Sequence, residues 1–196
     1  MSDTRPYPPI ILASGSRYRA ELLERLDLTF QADPADIDES PRAGESGEGL
    51  ASRLARSKAE AVAARRPDAL VIGSDQVAEC DGRLMGKPGN PEAAVEQLLF
   101  CGGRDVLFHT AVAVVFDGRV ESAMAPTRVS MRRLDRARLE RYVAADQPLD
   151  CAGAMKSEAL GISLCERIVN DDPTALIGLP LTRVVALLER FGIQRP

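Results

Sequence analysis

The stretch Ile10–Leu23 reads IILASGSRYRAELL and contains the pattern from which the fold is predicted. Its first residues are apolar and β-branched, which is typical of a short buried strand. Leu22, Leu23 and Leu26 then follow helical spacing behind Ser16, a residue type that often caps helix N-termini. The stretch therefore predicts a strand, a tight turn and a helix in direct succession.

Helices and strands alternate along the rest of the chain. After an acidic, Pro- and Gly-rich loop, helices are predicted at about residues 50–65 and 91–100, after Asp135, and through Val184, Val185, Leu187 and Leu188. Strands are predicted at 69–80, 105–116 and 119–131, and the first continues through Asp81-Gly82 into a short partner. Asp81-Gly82 and Asp117-Gly118 are typical of type I′ turns, which join antiparallel strands. The sequence thus predicts an α/β fold with a mixed central sheet flanked by helices.

Composition places the chain among ordinary globular proteins. Its 196 residues are 45% hydrophobic and 28% charged, and a chain of this length buries roughly 70% of the surface that its unfolded state exposes. The net charge of −4 argues against a nucleic-acid polymer as the partner, because such partners favour a basic excess. A small-molecule ligand is the better expectation.

Cysteine and histidine usage limits the metal sites that the chain can build. Cys80, Cys101, Cys151 and Cys165 have no C-x-x-C spacing, and His109 is the only histidine, so a zinc site is not expected. Any metal would be held by oxygen ligands. Because no apolar run approaches the roughly 20 residues of a membrane span and MSDTRPYPP has no signal-peptide core, we expect a cytoplasmic protein without membrane contact.

Two of the polar stretches could bind an anion. The first stretch, Ser14-Gly15-Ser16-Arg17-Tyr18-Arg19, stands at the start of a predicted helix, where unpaired N–H groups attract anions. When this stretch is considered alone, a capped helix with solvated arginines is the better interpretation. Lys58 follows Leu50 and Leu54 on the inward stripe of its helix, where it either extends to solvent or points into a cleft.

Other polar stretches add carboxylates and further cations. Asp75 belongs to Gly73-Ser74-Asp75-Gln76, which directly follows the apolar ALVI. Because ligands bind beyond the carboxyl ends of strands in open α/β sheets, Asp75 is a candidate catalytic carboxylate or metal ligand. The alternative is that Asp75 is only a turn residue at the end of a strand. Glu39, in the acidic DIDES loop, offers a second carboxylate unless it is only solvated. Gly86-Lys87-Pro88 and CAGAMKSEALG contribute Lys87, Lys156 and Glu158. Cations for phosphates and carboxylates for a divalent metal together indicate nucleotide phosphate chemistry.

Seven ordered blocks resemble the Maf family of nucleotide pyrophosphatases: LASGSRYRAELL, DIDES, LARSKAEAVA, VIGSDQV, GKP, CAGAMKSEALG and DPTALIGLP. The resemblance implies one domain over residues 1–196 with an inosine triphosphatase-like fold, in which two lobes enclose a cleft, and it implies a homodimer. The implied reaction is hydrolysis of a nucleoside triphosphate to the monophosphate and pyrophosphate with Mg²⁺ or Mn²⁺.

The resemblance also implies roles for particular residues. Asp75 matches the general base that activates water, and Glu39 matches an acidic residue that ligates metal together with Asp75 or orients water. The phosphate-binding positions are matched by Ser14, Ser16, Arg19, Lys58 and Lys87, and Lys156 is expected in the same cleft.

Tyr18, Gln76 and Glu158 fit the pattern of a subgroup that acts on 7-methyl-GTP. Methylation at N7 makes guanine cationic, so the electron-rich ring of Tyr18 would stack on it, and Glu158 would accept hydrogen bonds from the guanine N1-H and N2-H groups. A pyrophosphatase for thymidine and uridine triphosphates is the alternative substrate class. A non-catalytic nucleotide-binding regulator of cell division is the other alternative, which could dispense with Asp75.

Three alanines depart from the family pattern. Ala20 stands where many members carry a second arginine, which predicts the loss of one phosphate contact. Ala111 and Ala159 stand where glycine is common, and they predict altered loops near the base pocket.

Overall fold

The computed structural model describes residues 7–195. In this range the strands are β1 (Ile10–Leu12), β2 (Phe30–Ala32), β3 (Leu70–Cys80), β4 (Arg83–Met85), β5 (Asp105–Phe116), β6 (Arg119–Met131) and β7 (Cys165–Asn170). The helices are α1 (Arg17–Glu24), α2 (Gly47–Arg65), α3 (Pro91–Cys101), α4 (Arg136–Asp146) and α5 (Leu181–Arg190). Short 3-10 turns lie at Ala152–Ala154, Leu160–Leu164 and Ala175–Ile177.

All seven strands form one sheet, and the prediction that this sheet is mixed is confirmed. The strand order is β2-β1-β3-β5-β6-β7, and β4 pairs with β3 beside this path. Strand β1 is parallel to both β2 and β3, whereas the remaining pairs are antiparallel. Because β1 ends opposite Ile72, the second half of the longer β3 continues past the parallel part of the sheet.

The long strands β3 and β5 carry the sheet through two lobes. In the first lobe, buried residues of α1 and α5 pack on one face of the sheet and those of α2 pack on the other. In the second lobe, the far ends of β3 and β5 pack against α3 and α4. The middle of β3, at Ser74-Asp75-Gln76, lies between these apolar clusters, and this is where a cleft opens.

The turns and most elements agree with the sequence prediction. Asp81 and Gly82 have φ angles of 48° and 76°, and Asp117 and Gly118 have 49° and 72°, as type I′ turns require. The sequence prediction omitted β2 and β7. Both are edge strands with mostly exposed or half-buried residues, so they lack the apolar pattern that marks a buried strand.

One placement differs from the prediction. Asp75 does not follow the carboxyl end of its own strand but lies in the middle of β3, where it pairs with Ala111 of β5. It is the neighbouring strand β1 that ends beside it. Within residues 7–195, the helices are all too short or too polar to cross a membrane.

Candidate active site

A cleft of about 820 Å³ lies between the two lobes and gathers most of the predicted site residues. These residues come from the loop after β1, helix α1, the acidic loop, helix α2, the middle of β3 and two further loops. The predicted residues that line it are Ser14, Ser16, Tyr18, Arg19, Glu39, Lys58, Asp75, Gln76, Lys87 and Glu158.

Asp75 and Lys58 form the buried centre of the cleft. Side chains alternate along a strand, so Asp75 points toward α2 while its neighbours point to the opposite face. The Nζ of Lys58, from the buried face of α2, lies 2.7 Å from Oδ1 of Asp75. The side chains are only 8% and 9% exposed, so neither charge is shielded by bulk water. The alternative in which Lys58 extends to solvent is therefore wrong.

Glu39 joins this pair from the acidic loop. Its Oε1 lies 2.7 Å from the same Lys58 Nζ, and its side chain is half exposed. Burial raises the pKa of Glu39, but the hydrogen bond and charge of Lys58, followed by the charges of Lys87 and Arg19, outweigh this and hold the pKa below its usual value. One ammonium thus holds two carboxylates beside each other at the wall of the cleft.

Arg19 lines the same cleft, close enough for the charges of Asp75 and Glu39 to act on it. Its Nε donates to the carbonyl of Gly178 at 2.8 Å, and its Nη1 donates to Oγ of Ser14 at 3.3 Å. Burial lowers the pKa of Arg19, and the charges of Asp75 and Glu39 partly oppose this, although a guanidinium stays protonated in proteins. The guanidinium is therefore a fixed cation held by its neighbours.

The start of α1 differs from the prediction in one detail. Ser16 takes the N-cap position, but its hydroxyl makes no capping hydrogen bond; instead, Oγ of Ser14 accepts from the N–H of Ser16 at 3.2 Å. The hydroxyl of Ser16 and the first turn of α1 therefore remain available toward the cleft.

Tyr18 already has a cation over its ring. The guanidinium carbon of Arg17 lies 4.8 Å from the ring centroid, and its Nη2 donates to the Tyr18 hydroxyl at 3.0 Å. Both residues line the cleft. This contact indicates that the ring is sterically accessible to a flat cationic group.

Gln76 is held from the other face of β3. Its Nε2 donates to the carbonyls of Ala175 and Leu176 at 2.9 and 3.0 Å and lies 3.0 Å from Oγ1 of Thr110. Carbonyl oxygens only accept hydrogen bonds, so the amide nitrogen must face them and the orientation of the side chain is determined. In the described part of the chain Oε1 has no hydrogen-bond partner, which leaves a free acceptor on a residue that lines the cleft.

Lys156 is placed differently from the prediction. It does not line the cleft, because its Nζ donates to the carbonyls of Asp146 and Gln147 at 2.7 and 3.1 Å. These carbonyls end α4, where cations are favoured. Lys87 and Glu158, in contrast, line the cleft, and both residues are exposed.

The sequence analysis assigned no role to two features that organise the cleft. Ser74 is fully buried, and its Oγ lies 2.8 Å from the carbonyl of Ala111 and 3.0 Å from that of Gly178. The segment 172–180 supplies the carbonyls that hold Arg19, Ser74 and Gln76. Its Asp, Thr and Pro residues marked it as a loop, but hydrogen bonds to backbone carbonyls leave no signal in a sequence.

Two of the three departures from the family pattern lie away from the cleft. Ala20 packs against the apolar cluster of the first lobe and does not line the cleft, and the loss of a phosphate contact there stays a prediction. Ala159 is exposed and also lies outside the lining. Ala111 is buried beside Asp75 in the sheet.

Glu39 and Asp75 are the residues that could hold a metal ion. Across residues 7–195 there is no group of three or more His, Cys, Asp or Glu side chains that could form a complete metal cage. A divalent ion such as Mg²⁺ needs only one or two protein carboxylates when substrate phosphates complete its shell. The pair therefore fits an ion that is shared with a phosphate ligand.

Comparisons with known proteins agree with this chemistry. A family described as Maf-like protein matches residues 9–191. A protein named 7-methyl-GTP pyrophosphatase from Pseudomonas aeruginosa is 51% identical over 191 residues, 96% of this chain and 100% of the relative. A protein of the same name from Alkalilimnicola ehrlichii is 54% identical over 187 residues, 94% of each chain.

A solved structure, described as a HAM1 protein from Coxiella burnetii, has a TM-score of 0.46 and 18% sequence identity to this chain. The superposition covers 65% of this chain and 75% of that one. This likeness is too distant to inform on the site.

Proposed function

This chain belongs to the Maf-like protein family, and on that premise we propose that it hydrolyses a nucleoside triphosphate, most specifically 7-methyl-GTP, to the monophosphate and pyrophosphate. The observation that carries the proposal is the buried contact of Lys58 with Asp75 at 2.7 Å, with Glu39 on the same ammonium and Arg19 in the same cleft. The named relatives supply the substrate class.

Asp75 is the residue that we assign to proton transfer. The carboxylate accepts a proton from a water molecule as that water attacks phosphorus, and the phosphoanhydride bond between the α- and β-phosphates breaks. Lys58 binds Oδ1 of this carboxylate and so fixes its orientation at the wall of the cleft. The electron pair of the broken bond leaves with pyrophosphate.

Fixed cations stabilise the charge that develops on the leaving group. Arg19 is held by Gly178 and Ser14, and therefore needs little reorganisation when the phosphates bind. Lys87 adds a second cation from an exposed part of the cleft, while Ser14, Ser16 and the first turn of α1 add hydrogen-bond groups. A divalent ion such as Mg²⁺ or Mn²⁺ held by Asp75 and Glu39 would lower the pKa of water and neutralise phosphate charge.

Tyr18, Gln76 and Glu158 select the base in this proposal. The Tyr18 ring takes the cationic 7-methylguanine in place of the Arg17 guanidinium that covers it here. Oε1 of Gln76 and the carboxylate of Glu158 are both acceptors, and they suit the N–H groups of guanine. Pyrimidine triphosphates lack this paired donor edge, which disfavours the thymidine and uridine alternative.

The experiment is a panel of triphosphates incubated with Mg²⁺ or Mn²⁺, in which pyrophosphate release by the wild type and by Asp75→Asn is measured. We expect 7-methyl-GTP to be cleaved fastest, and Asp75→Asn to lose at least a hundredfold in kcat while it still binds nucleotide. A wild type that binds nucleotide but cleaves none would support the regulator. Faster cleavage of thymidine or uridine triphosphate would reverse the base assignment.

Three further expectations stay predictions. The resemblance implies a homodimer, which sedimentation of the purified chain tests. The cytoplasmic location and the exclusion of nucleic-acid polymers likewise depend on the sequence argument.

A further inference from the structure

Asp172 is the most completely hydrogen-bonded buried carboxylate near the cleft. It is fully buried, and its oxygens accept from the N–H and hydroxyl of Thr174 at 2.9 and 2.6 Å and from those of Thr182 at 2.8 and 2.6 Å. A carboxylate has about four acceptor positions, so this one is saturated. We call Asp172, Thr174 and Thr182 the Asp172 clamp; it joins the two ends of the segment 172–182.

The carbonyls between the two ends of the clamp hold cleft residues. Those of Ala175 and Leu176 accept from the Gln76 amide, and that of Gly178 accepts from Arg19 Nε at 2.8 Å. Gly178 has a φ of 124°, a conformation that disfavours other residues, and this turn directs its carbonyl toward Arg19. One short segment therefore contacts both the proposed base-selecting amide and the proposed phosphate-binding cation.

The segment has little regular structure of its own. Between β7 and α5 it contains only the 3-10 turn Ala175–Ile177, so no strand pairing or long helix fixes the positions of its carbonyls. The clamp ties the start of the segment to the first turn of α5, and the N–H of Leu181, which donates to Oγ1 of Thr174 at 2.8 Å, reinforces this connection. Asp172 does not line the cleft, and it therefore cannot act by touching the nucleotide.

We propose that Asp172 is a positioning residue: through the segment 172–182 it sets the places of Gln76 and Arg19, and so couples base selection to phosphate binding. This inference rests on the proposed function for the roles of Gln76 and Arg19, but the clamp itself can be tested without turnover. Loss of one clamp hydrogen bond would shift the carbonyls and weaken both contacts together.

The test removes one donor without removing volume. Thr182→Val deletes the hydroxyl that donates to Asp172, and Thr182→Ser restores it. Thr127→Val is the control for the loss of a threonine hydroxyl: the hydroxyl of Thr127 has no hydrogen-bond partner within residues 7–195, although Thr127 is fully buried whereas Thr182 is exposed. We expect Thr182→Val to raise KM for 7-methyl-GTP about fivefold, and both Thr182→Ser and Thr127→Val to keep the wild-type KM.

A double-mutant comparison separates positioning from mere loss of stability. In a Gln76→Ala background, Thr182→Val should raise KM by clearly less than the fivefold expected in the wild type, because one of the two residues through which it acts is already absent. A structural role alone would lower kcat through the amount of folded enzyme, equally in both backgrounds, with KM unchanged. That result would overturn the inference.

An NMR measurement makes the inference independent of activity. The side-chain amide protons of Gln76, assigned by their absence in Gln76→Ala, should exchange with solvent several-fold faster in Thr182→Val than in the wild type or Thr127→Val. If the wild type cleaves no triphosphate, the proposed function fails while faster exchange still supports the clamp. Unchanged exchange in Thr182→Val would refute the clamp even in an active enzyme.

Discussion

At Gly73 the backbones of β3 and α2 are in close contact, and substitution of this glycine by alanine tests how the site is held together. A Cβ at Gly73 would lie 2.3 Å from the carbonyl oxygen of Ala55 and 2.7 Å from the backbone nitrogen of Ala59, both in α2. Real Cβ atoms essentially never come closer than 3.0 Å to another heavy atom, so the helix must retreat by at least about 0.7 Å. Lys58 lies next to Ala59 on this helix, and Asp75 lies two residues beyond Gly73.

Overpacking of this kind costs about 1–3 kcal/mol, which leaves an average domain folded. The displacement, however, is comparable with the ~1 Å misplacement that lowers catalytic rates about a hundredfold. We therefore expect Gly73→Ala to lose about a hundredfold in kcat for 7-methyl-GTP, with a modest fall in the urea unfolding midpoint. Pyrophosphate release at saturating substrate and urea denaturation are the two assays.

Gly49→Ala is the matched control for Gly73→Ala. Its Cβ would meet only side-chain atoms, the nearest being Oγ of Ser46 at 3.3 Å, and it lies on the exposed start of the same helix α2. We expect wild-type kcat for this variant. If Gly73→Ala also kept wild-type kcat and stability, the close contact of α2 with β3 would not position the site. If its activity returned fully at a temperature where all the protein is folded, only stability would be affected.

Three further predictions concern other carboxylates and a thiol. Burial raises the pKa of Asp172, but four hydrogen bonds to the carboxylate outweigh this effect and hold the pKa below the ordinary value of 3.8. The carboxylate therefore stabilises the fold above that pH, and this stabilisation is lost as the pH falls through the lowered pKa. In urea titrations, the difference in unfolding free energy between the wild type and Asp172→Asn should shrink below about pH 4. Burial, together with the charge of Asp150, raises the pKa of the Cys151 thiol to about 12. Alkylation by iodoacetamide at pH 8, followed by mass spectrometry, should therefore be roughly a thousandfold slower than that of a free cysteine. Rapid labelling of Cys151 would contradict this prediction. Glu158→Gln should lower kcat/KM for guanine triphosphates about tenfold to a hundredfold and leave pyrimidine triphosphates unchanged, and an equal loss for every base would remove Glu158 from base selection.

Local patterns in the sequence predicted much of the fold. The dipeptides Asp81-Gly82 and Asp117-Gly118 required positive φ angles and gave the two hairpins, because few residue types adopt that conformation. Helical spacing of apolar residues placed Lys58 on the inward face of α2. The edge strands β2 and β7 were missed, since exposed strands lack a burial pattern and are fixed by pairing with neighbours distant in sequence.

The sequence by itself determined which chemical groups the chain has and on which element each lies: a carboxylate in β3, a lysine on the buried side of α2, and arginines beside a helix start. Only the tertiary structure decided which of these groups meet. The alternation of side chains along β3 directs Asp75 to Lys58 and Gln76 to the segment 172–180, while Lys156, from an equally polar motif, binds the end of α4 instead. The physical reason is that contacts between residues 17 to about 160 positions apart depend on packing and backbone carbonyls, and neither leaves a local pattern in the sequence.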